Sequence, residues 1–370
     1  SDKVKIKKIK TYKFKHGKKN YNQITNTKIM NEVLKKNNIK FEGVSIDSRQ
    51  IKKNNLFVAI KGKTYDGHLF AKKALQNKAN FCVVEKNIKN INKNKLIRCS
   101  NTINFLNKLA IKKREHSKAK IIAVTGSSGK TSFKALLGNL LGKYEETYFS
   151  KKSYNNHLGV PLSLCNLENS HQYGFFEIGM SKPGEIRNLS NIVKPDIGVI
   201  TNIGEAHIEN FESLKKIAKA KSEIIENITN GGFLILNRDD KYFKYHSRIA
   251  KAKKIKVLSF GFSKKSDSYL IKNKNYKNYN LLHLKILHNN IFLKVKNSNV
   301  STISNILSSL LVLSLLDIDI LKIKNLINLS DLVEGRGKLH IIERYKKKFN
   351  FIDERYNANQ SSMKHAIINF

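Results

Sequence analysis

The chain reads as an α/β protein of more than one domain, and three observations lead there. Its 370 residues exceed what a single hydrophobic core organises, because cores stop growing at roughly 250–300 residues and longer chains divide. From Ile121 onward, apolar runs of strand length alternate with segments of helical spacing, which implies a mainly parallel sheet covered on both faces. The first of these runs leads directly into a glycine-containing turn and then an apolar-periodic segment, the strand–turn–helix context of a phosphate-binding loop.

Taken in order, residues 41–85 alternate short apolar runs with turn residues. Strands are expected at 44–46, 56–60 and 81–84, with a polar loop at 61–68 and a helix at 69–75 between the last two. This small α/β domain ends in the basic stretch 112–120. A second domain then supplies strands at 121–124, 173–178, 197–201 and 233–236. The Lys/Asn-rich stretch 264–280 is expected to be a long surface loop. After Gly335 a third segment begins, with a strand at 349–353 and a helix cut short by the chain end at Phe370. The expected domains are therefore 1–118, 119–333 and 334–370, without an internal repeat.

Composition narrows the class. Apolar residues at 40%, 9% of the chain being aromatic, suffice for cores, and the longest apolar run, around Leu310, is too short to cross a bilayer. The first ten residues are basic but hold no apolar stretch, so a secretory signal is not expected. Cys82, Cys99 and Cys165 lie far apart without C-x-x-C spacing, which argues against a disulfide framework or zinc site and fits a reducing compartment. The expectation is a soluble, cytoplasmic monomer.

Seventy basic against 28 acidic residues leave a net charge of +42, which raises nucleic acid as a partner. The lysines, however, are spread over the whole length and mixed with Asn and Ile, all residues with A/T-rich codons, instead of gathering on one segment with interleaved aromatics. No specific nucleic acid is expected.

The chemistry is carried by Thr125, Gly126, Ser127, Ser128, Gly129, Lys130, Thr131 and Ser132, a G-x-x-G-K-T turn after the strand 121–124. Phe133, Leu136, Leu137, Leu140 and Leu141 recur behind it at helical spacing. Glycines let backbone N–H groups approach phosphate, and the helix N-terminus turns its partial positive charge toward the anion. Lys130 would meet the β and γ phosphates of ATP, and Thr131 would offer its hydroxyl to Mg2+. Two later strand ends supply further metal-ligand candidates, Glu177 and His207, since strand ends in an open parallel sheet share one crevice. Read alone, a strand-end Glu is more often a solvated loop residue and a lone His more often structural.

Together these segments resemble the Mur ligase family, ATP-dependent amide ligases of peptidoglycan assembly. The resemblance rests on 125–132 (TGSSGKTS), 155–162 (NNHLGVPL), 177–186 (EIGMSKPGEI), 201–211 (TNIGEAHIENF), 220–224 (AKSEI) and 356–363 (YNANQSSM). In the N-terminal part, Asp47, Ser48 and Arg49 (DSR), 56–62 (LFVAIKG) and Asp66 to His68 (DGH) agree.

The resemblance implies a three-domain architecture: an N-terminal α/β domain for the UDP-linked substrate, a central P-loop ATPase domain, and an incomplete C-terminal Rossmann-like domain of which only the first strand and helix are present. It implies that D-alanyl-D-alanine is joined to UDP-N-acetylmuramoyl-tripeptide: the tripeptide carboxylate attacks ATP, and the dipeptide amine then displaces phosphate from the acyl phosphate. It also implies site roles. Lys130, Lys221 and His207 would be catalytic. Thr131, Glu177, His207 and Lys221 would surround the metals, with Lys221 carbamylated. Asn156, Asn305 and Arg336 would contact the nucleotide, and Ser48, Arg49, Asp66 and His68 the UDP-linked substrate. The alternatives are a related ligase that adds the third residue and a nucleic-acid-associated P-loop NTPase. The pair His-Asn usual before the Asn305 helix is Ser301 and Thr302 here, and Arg355 stands where the family has a small hydroxyl residue.

Overall fold

The structure, a computed structural model, describes residues 40–150, 152–206, 208–296, 298–320, 338–345, 347–353 and 367. The chain forms two compact units. The first holds residues up to Ser117 together with His157–Asn169, and the second holds Lys118–Asn156 and the chain from Ser170 onward.

In the first unit, strands β1 (Val44–Ser45), β2 (Leu56–Val58), β3 (Phe81–Val84) and β4 (Leu96–Arg98) form a parallel sheet in that order. Phe57, Cys82 and Val84 pack with Ala71 and Ala74 of the helix Ala71–Gln76. The helix expected at 69–75 thus starts one turn early as a 3-10 turn, Gly67–Phe70, because the Asp66 side chain caps it by accepting from the His68 amide. A longer helix, Thr102–His116, begins at Asn101, whose side chain accepts from the Asn104 amide at 2.7 Å.

Residues 157–169 lie with this first unit, although the sequence placed them in the central domain. All seven residues of the helix Gly159–Cys165 are buried. Its Cys165 thiol faces the Leu106 carbonyl at 3.7 Å, and the Asn166 amide pairs with Val44, accepting from its N–H (2.8 Å) and donating to its carbonyl (3.0 Å). One side chain thereby completes the edge of β1 as a neighbouring strand would.

The second unit is built on a nine-stranded sheet. Its strands are β5 (Lys120–Thr125), β6 (Thr147–Phe149), β7 (Tyr173–Glu177), β8 (Ile197–Ile200), β9 (Phe233–Asn237), β10 (Lys256–Gly261), β11 (Ser268–Asn275), β12 (Asn280–Ile286) and β13 (Asn289–Val295). The order is β13-β12-β11-β10-β9-β8-β5-β7-β6. Pairing is parallel from β6 to β11 and antiparallel through β11, β12 and β13. The expected strands at 121–124, 173–178, 197–201 and 233–236 coincide with β5, β7, β8 and β9.

The loop expected at 264–280 is instead largely strand, with β11 paired to β12 and a register shift between Leu270 and Lys272. Polarity misled the reading, since an antiparallel sheet at the edge needs apolar residues on one face only. Leu282, Leu284 and Ile286 of β12 and Ile291, Leu293 and Val295 of β13 are buried, in one core with Ile303, Ile306, Leu307 and Leu310 of the helix Val300–Leu315. The same core takes Phe133, Leu137, Leu140 and Leu141 from the helix Lys130–Leu141, so the antiparallel extension supports the helix behind the glycine turn.

Strands β14 (Lys338–Arg344) and β15 (Lys347–Asp353) form a separate antiparallel hairpin. The helix expected after residue 353 lies outside the described residues. Among the described residues, no helix is long and apolar enough to cross a membrane.

Because β12 alternates buried Leu284 with the less buried Lys285, Leu284→Ala should destabilise the fold by about 2–5 kcal/mol. Lys285→Ala should change stability by less than about 0.5 kcal/mol. Urea unfolding midpoints check both, and equal effects would place residues 280–286 outside a strand.

Candidate functional site

The glycine turn is shaped by contacts that no other residue type would allow. Gly126 has φ +151°, and a Cβ there would come 1.8 Å from the Thr201 hydroxyl oxygen. Gly129, at φ +81°, occupies the left-handed region at the start of the helix Lys130–Leu141. The helix N-terminus therefore opens on the turn, where the first backbone amides have no intrahelical carbonyl by construction.

The chain after β8 laces this turn from beneath. Asn202 accepts from the Ser127 amide through its carbonyl (3.0 Å) and from the Ser128 amide through Oδ1 (2.9 Å), and its Nδ2 donates to Ser128 Oγ (2.6 Å). Thr201 Oγ1 donates to the Ser128 carbonyl at 2.6 Å. Ser127 Oγ donates to the Gly204 carbonyl (2.9 Å) and accepts from the Gly204 amide (2.8 Å). Asp240 holds this segment in turn by accepting from the Ile203 amide at 2.7 Å. Thr201, Asn202 and Asp240 were not assigned roles from sequence. A polar pair ending an apolar strand was the available signal for the first two.

Lys130 reaches across the turn and donates to the Gly126 carbonyl at 2.7 Å. Thr131 points the other way, toward Glu177. Since β7 pairs with β5 in a register that sets Glu177 beside Val124, the Glu177 carboxylate arrives next to the turn, only 2% exposed. Its Oε2 accepts from Thr131 Oγ1 at 3.0 Å and its Oε1 from Asn155 Nδ2 at 2.9 Å. Ser153 Oγ lies 3.1 Å from Thr131 Oγ1; with the threonine proton given to Glu177, the serine is the donor.

A further cation stands behind this group. Lys134, one turn along the helix from Lys130, is 1% exposed. Its ammonium lies 3.5 Å from Glu177 Oε2 and donates to Ser150 Oγ (3.0 Å) and to the Lys152 carbonyl (2.8 Å). Sequence reading passed over it; the signal was a lysine between Phe133 and Leu137 on a helix whose apolar side is buried.

Lys221 sits near the end of the helix Leu214–Ser222 and is 2% exposed. Burial pushes its amine well below the ordinary lysine range, and the charge of Lys130 adds to the shift. His246, from the helix Phe243–Ala252, supports the Lys221 helix by donating from Nε2 to the Ala218 carbonyl at 3.0 Å. Its own pKa is lowered, chiefly by burial. Glu223, just past the helix, accepts from the Gly184 and Arg187 amides at 2.8 and 3.0 Å, which ties it to the start of the helix Glu185–Val193.

Asn305 also reaches the turn, since a Cβ on Gly129 would stand 3.3 Å from its Oδ1. Ser132 is partly buried in the first turn of the helix, and Asn156 is exposed beside Asn155. His207 and Arg336 lie outside the described residues.

In the first unit, Asp47 accepts from the Arg49 amide and from both Nε and Nη2 of its guanidinium, at 2.9–3.0 Å. That hydrogen bonding lowers the Asp47 pKa. Arg49 remains largely exposed, while Ser48 is buried. His68 is 3% exposed and both its ring nitrogens are engaged: Nδ1 bonds Asp66 Oδ1 at 2.5 Å, and Nε2 accepts from the Glu85 amide at 2.9 Å. Accepting at Nε2 puts the proton on Nδ1. The His68 ring is thus committed inside the fold, and Asp66 is the member of the pair that meets solvent. Asp66 is held well below the usual carboxylate range, first by the His68 amide.

The second unit's donors fit a nucleotide with Mg2+. Gly126 and Gly129 let the backbone of the turn pass close to Thr201 and Asn305, where a Cβ would crowd it. Thr131, Ser153 and Glu177 offer hard oxygen donors, the kind Mg2+ takes together with substrate phosphates. Among the described residues no group of three or more His, Cys, Asp or Glu could hold a metal by itself.

Comparison with known proteins agrees with this geometry. The Mur ligase middle domain matches residues 124–313, and the Mur ligase family catalytic domain matches residues 40–115. The chain is 36% identical over 335 residues to the UDP-N-acetylmuramoyl-tripeptide--D-alanyl-D-alanine ligase of Rickettsia prowazekii, covering 90% of this chain and 73% of that protein. The enzyme of the same name from Buchnera aphidicola subsp. Acyrthosiphon pisum is also 36% identical, over 88% of this chain and 70% of its own length. Among solved structures, MurF from Acinetobacter baumannii superposes with a TM-score of 0.76 at 29% identity, over 88% of this chain and 70% of that one. MurF from Thermotoga maritima, solved in complex with ADP, gives 0.73 at 28% identity, over 89% and 74%. With a glycine turn at a helix N-terminus, a buried carboxylate beside it and relatives of this similarity along most of its length, the chain belongs to the Mur ligase family.

Proposed function

We propose that this protein is an ATP-dependent ligase of peptidoglycan precursor synthesis that joins D-alanyl-D-alanine to UDP-N-acetylmuramoyl-tripeptide in the cytoplasm, releasing ADP and phosphate. Two relatives at 36% identity carry that activity in their names. The observation that carries the chemistry is the buried amine of Lys221 within electrostatic reach of Lys130.

A lysine whose ammonium is disfavoured presents a lone pair, and addition of CO2 gives a carbamate with loss of one proton. That replaces an uncharged amine beside Lys130 with an anion attracted to it. The carbamate, the Glu177 carboxylate and the Thr131 hydroxyl would then hold Mg2+, with His207 near a second ion. Bound Mg2+ would offset charge on the transferring phosphoryl group.

The remaining work is positioning. The amides of the turn and the Lys130 ammonium would draw the β and γ phosphates onto the helix N-terminus, displacing the Gly126 carbonyl from Lys130. Thr201 and Asn202 keep the turn from collapsing when no nucleotide is present. Asn305, Asn156 and Arg336 would contact the nucleotide. Ser48, Arg49 and Asp66 would face the UDP-linked substrate, with His68 orienting Asp66. Residues 1–118, 119–333 and 334–370 are proposed as the working domains, with 157–169 returning to the first. We place no functional role on the charge of +42, and we read the protein as a monomer.

Phosphate release from ATP should require both UDP-N-acetylmuramoyl-tripeptide and D-alanyl-D-alanine. Release without them, or stimulated by nucleic acid, would overturn the assignment. Lys130→Ala should lower that release by a factor on the order of 10²–10³, as loss of one preorganised charge contact does, with the unfolding transition preserved.

Lys221 gives a pH prediction. The unfolded amine titrates near 10.5 and the folded one well below it, so between those values the unfolded state binds more protons and stability rises with pH. In metal-free, CO2-depleted buffer, wild type should gain stability relative to Lys221→Met as pH rises toward 10.5. Urea midpoints over that range test it, and parallel profiles would show an amine that is not buried.

A further inference from the structure

We propose that Lys134 is a positioning residue: its ammonium fixes the Glu177 carboxylate and the segment carrying Ser153 and Asn155 in the arrangement that receives the divalent cation. The inference rests on the reading of Glu177 as a metal ligand.

Three features of the geometry carry it. Lys134 is the lysine most completely withdrawn from solvent among the described residues, at 1% exposure, and it faces a carboxylate at 2% exposure across 3.5 Å. Two ions are seldom placed together in a protein interior for stability, because desolvation cancels most of their attraction and an apolar pair of similar volume does as well. The arrangement therefore points to a requirement for an anion at that spot.

Second, the other donors of the ammonium go to Ser150 Oγ and the Lys152 carbonyl. These lie just ahead of a tight turn in which the Tyr154 amide donates to the Lys152 carbonyl and the Asn155 amide to the Ser153 carbonyl, at 2.9 and 3.0 Å. The turn delivers Ser153 Oγ to Thr131 and Asn155 Nδ2 to Glu177. One ammonium thus holds both the carboxylate and the segment that orients it.

Third, the rigid link to Thr131 is short. Lys134 and Thr131 stand three residues apart on one helix, so both contact Glu177 Oε2 from the same turn of helix. A carboxylate fixed in this way loses little freedom on taking up a cation, and positioning of that kind lowers the cost of binding.

The test compares Lys134→Met and Lys134→Gln with Leu284→Ala, a core variant outside the site that controls for lost stability. Lys134→Gln keeps an amide donor without the charge, so it supplies a folded variant should Lys134→Met fail to fold. Equilibrium binding of a fluorescent ATP analogue is titrated with Mg2+, and hydrogen exchange of the Tyr154 and Asn155 amides is followed without metal or nucleotide.

The expected result is a half-saturating Mg2+ concentration raised tenfold or more in Lys134→Met and less in Lys134→Gln. Affinity without Mg2+ should stay within twofold, and exchange of both amides should speed at least tenfold in Lys134→Met and less in Lys134→Gln. Leu284→Ala should shift neither. Unchanged or tighter Mg2+ dependence in the lysine variants, or a matching shift in Leu284→Ala, would overturn the proposal alone. Nucleotide binding that is indifferent to Mg2+ in wild type, or a Glu177→Gln variant that titrates as wild type, would overturn the metal reading of Glu177 and the proposal with it.

Discussion

A carboxylate buried at the end of a strand must be compensated by its neighbours, and around Glu177 that requirement organises the site. An isolated buried carboxylate costs several kcal/mol or takes up a proton. Here three groups converge on it: the Thr131 hydroxyl, the Asn155 amide and the Lys134 ammonium. They come from the helix behind the glycine turn and from the segment after β6, and β7 itself lies next to β5. The order of strands brings the anion to the turn, and the need to satisfy it brings Ser153 and Asn155 to the helix.

The glycine turn depends on a second layer of the same logic. The turn has a contact of its own, from Lys130 to the Gly126 carbonyl, and is otherwise held from outside, with the Ser127 and Ser128 amides given to Asn202. Thr201 and Asn202, at the end of β8 on the other side of β5, do this through six hydrogen bonds with Ser127, Ser128 and Thr125. The space a Cβ would need at Gly126 is filled by Thr201 itself. β5 is thus flanked by one strand that supplies the anion and another that supplies the scaffold.

Much of this was legible in the sequence because it is local. The turn around Gly126 and Gly129 is a contiguous signature, and the strands ending at Glu177 and Ile200 are apolar runs of the right length. What escaped reading depends on partners distant in sequence. Asn166 completes the edge of β1 from 122 residues away, and β11 looks like a polar loop until the apolar face of β12 is seen opposite the helix Val300–Leu315. His68 is linked to the UDP-linked substrate through the family resemblance of residues 66–68 alone; the fold shows its ring closed between Asp66 and the Glu85 amide.

The lysines make the same point about composition. Seventy basic residues and a charge of +42 suggest a protein defined by its surface potential, yet lysine in solvent costs little and specifies little. Among the described residues, only two lysines are buried, Lys134 and Lys221, and both belong to the site around the glycine turn. Their surroundings differ in kind. Lys134 has a carboxylate, a hydroxyl and a carbonyl within reach, the complement of acceptors that a three-proton ammonium can use. Lys221 has burial and a neighbouring cation, which favour the uncharged amine. A codon-driven excess of lysine does not by itself place two of them in the interior, since a buried amine must either be paired, as Lys134 is, or tend to lose its charge, as Lys221 does. The buried pair, and not the total, is where lysine meets the glycine turn: one amine set against the Glu177 carboxylate, the other shifted by burial and by Lys130 toward its uncharged form.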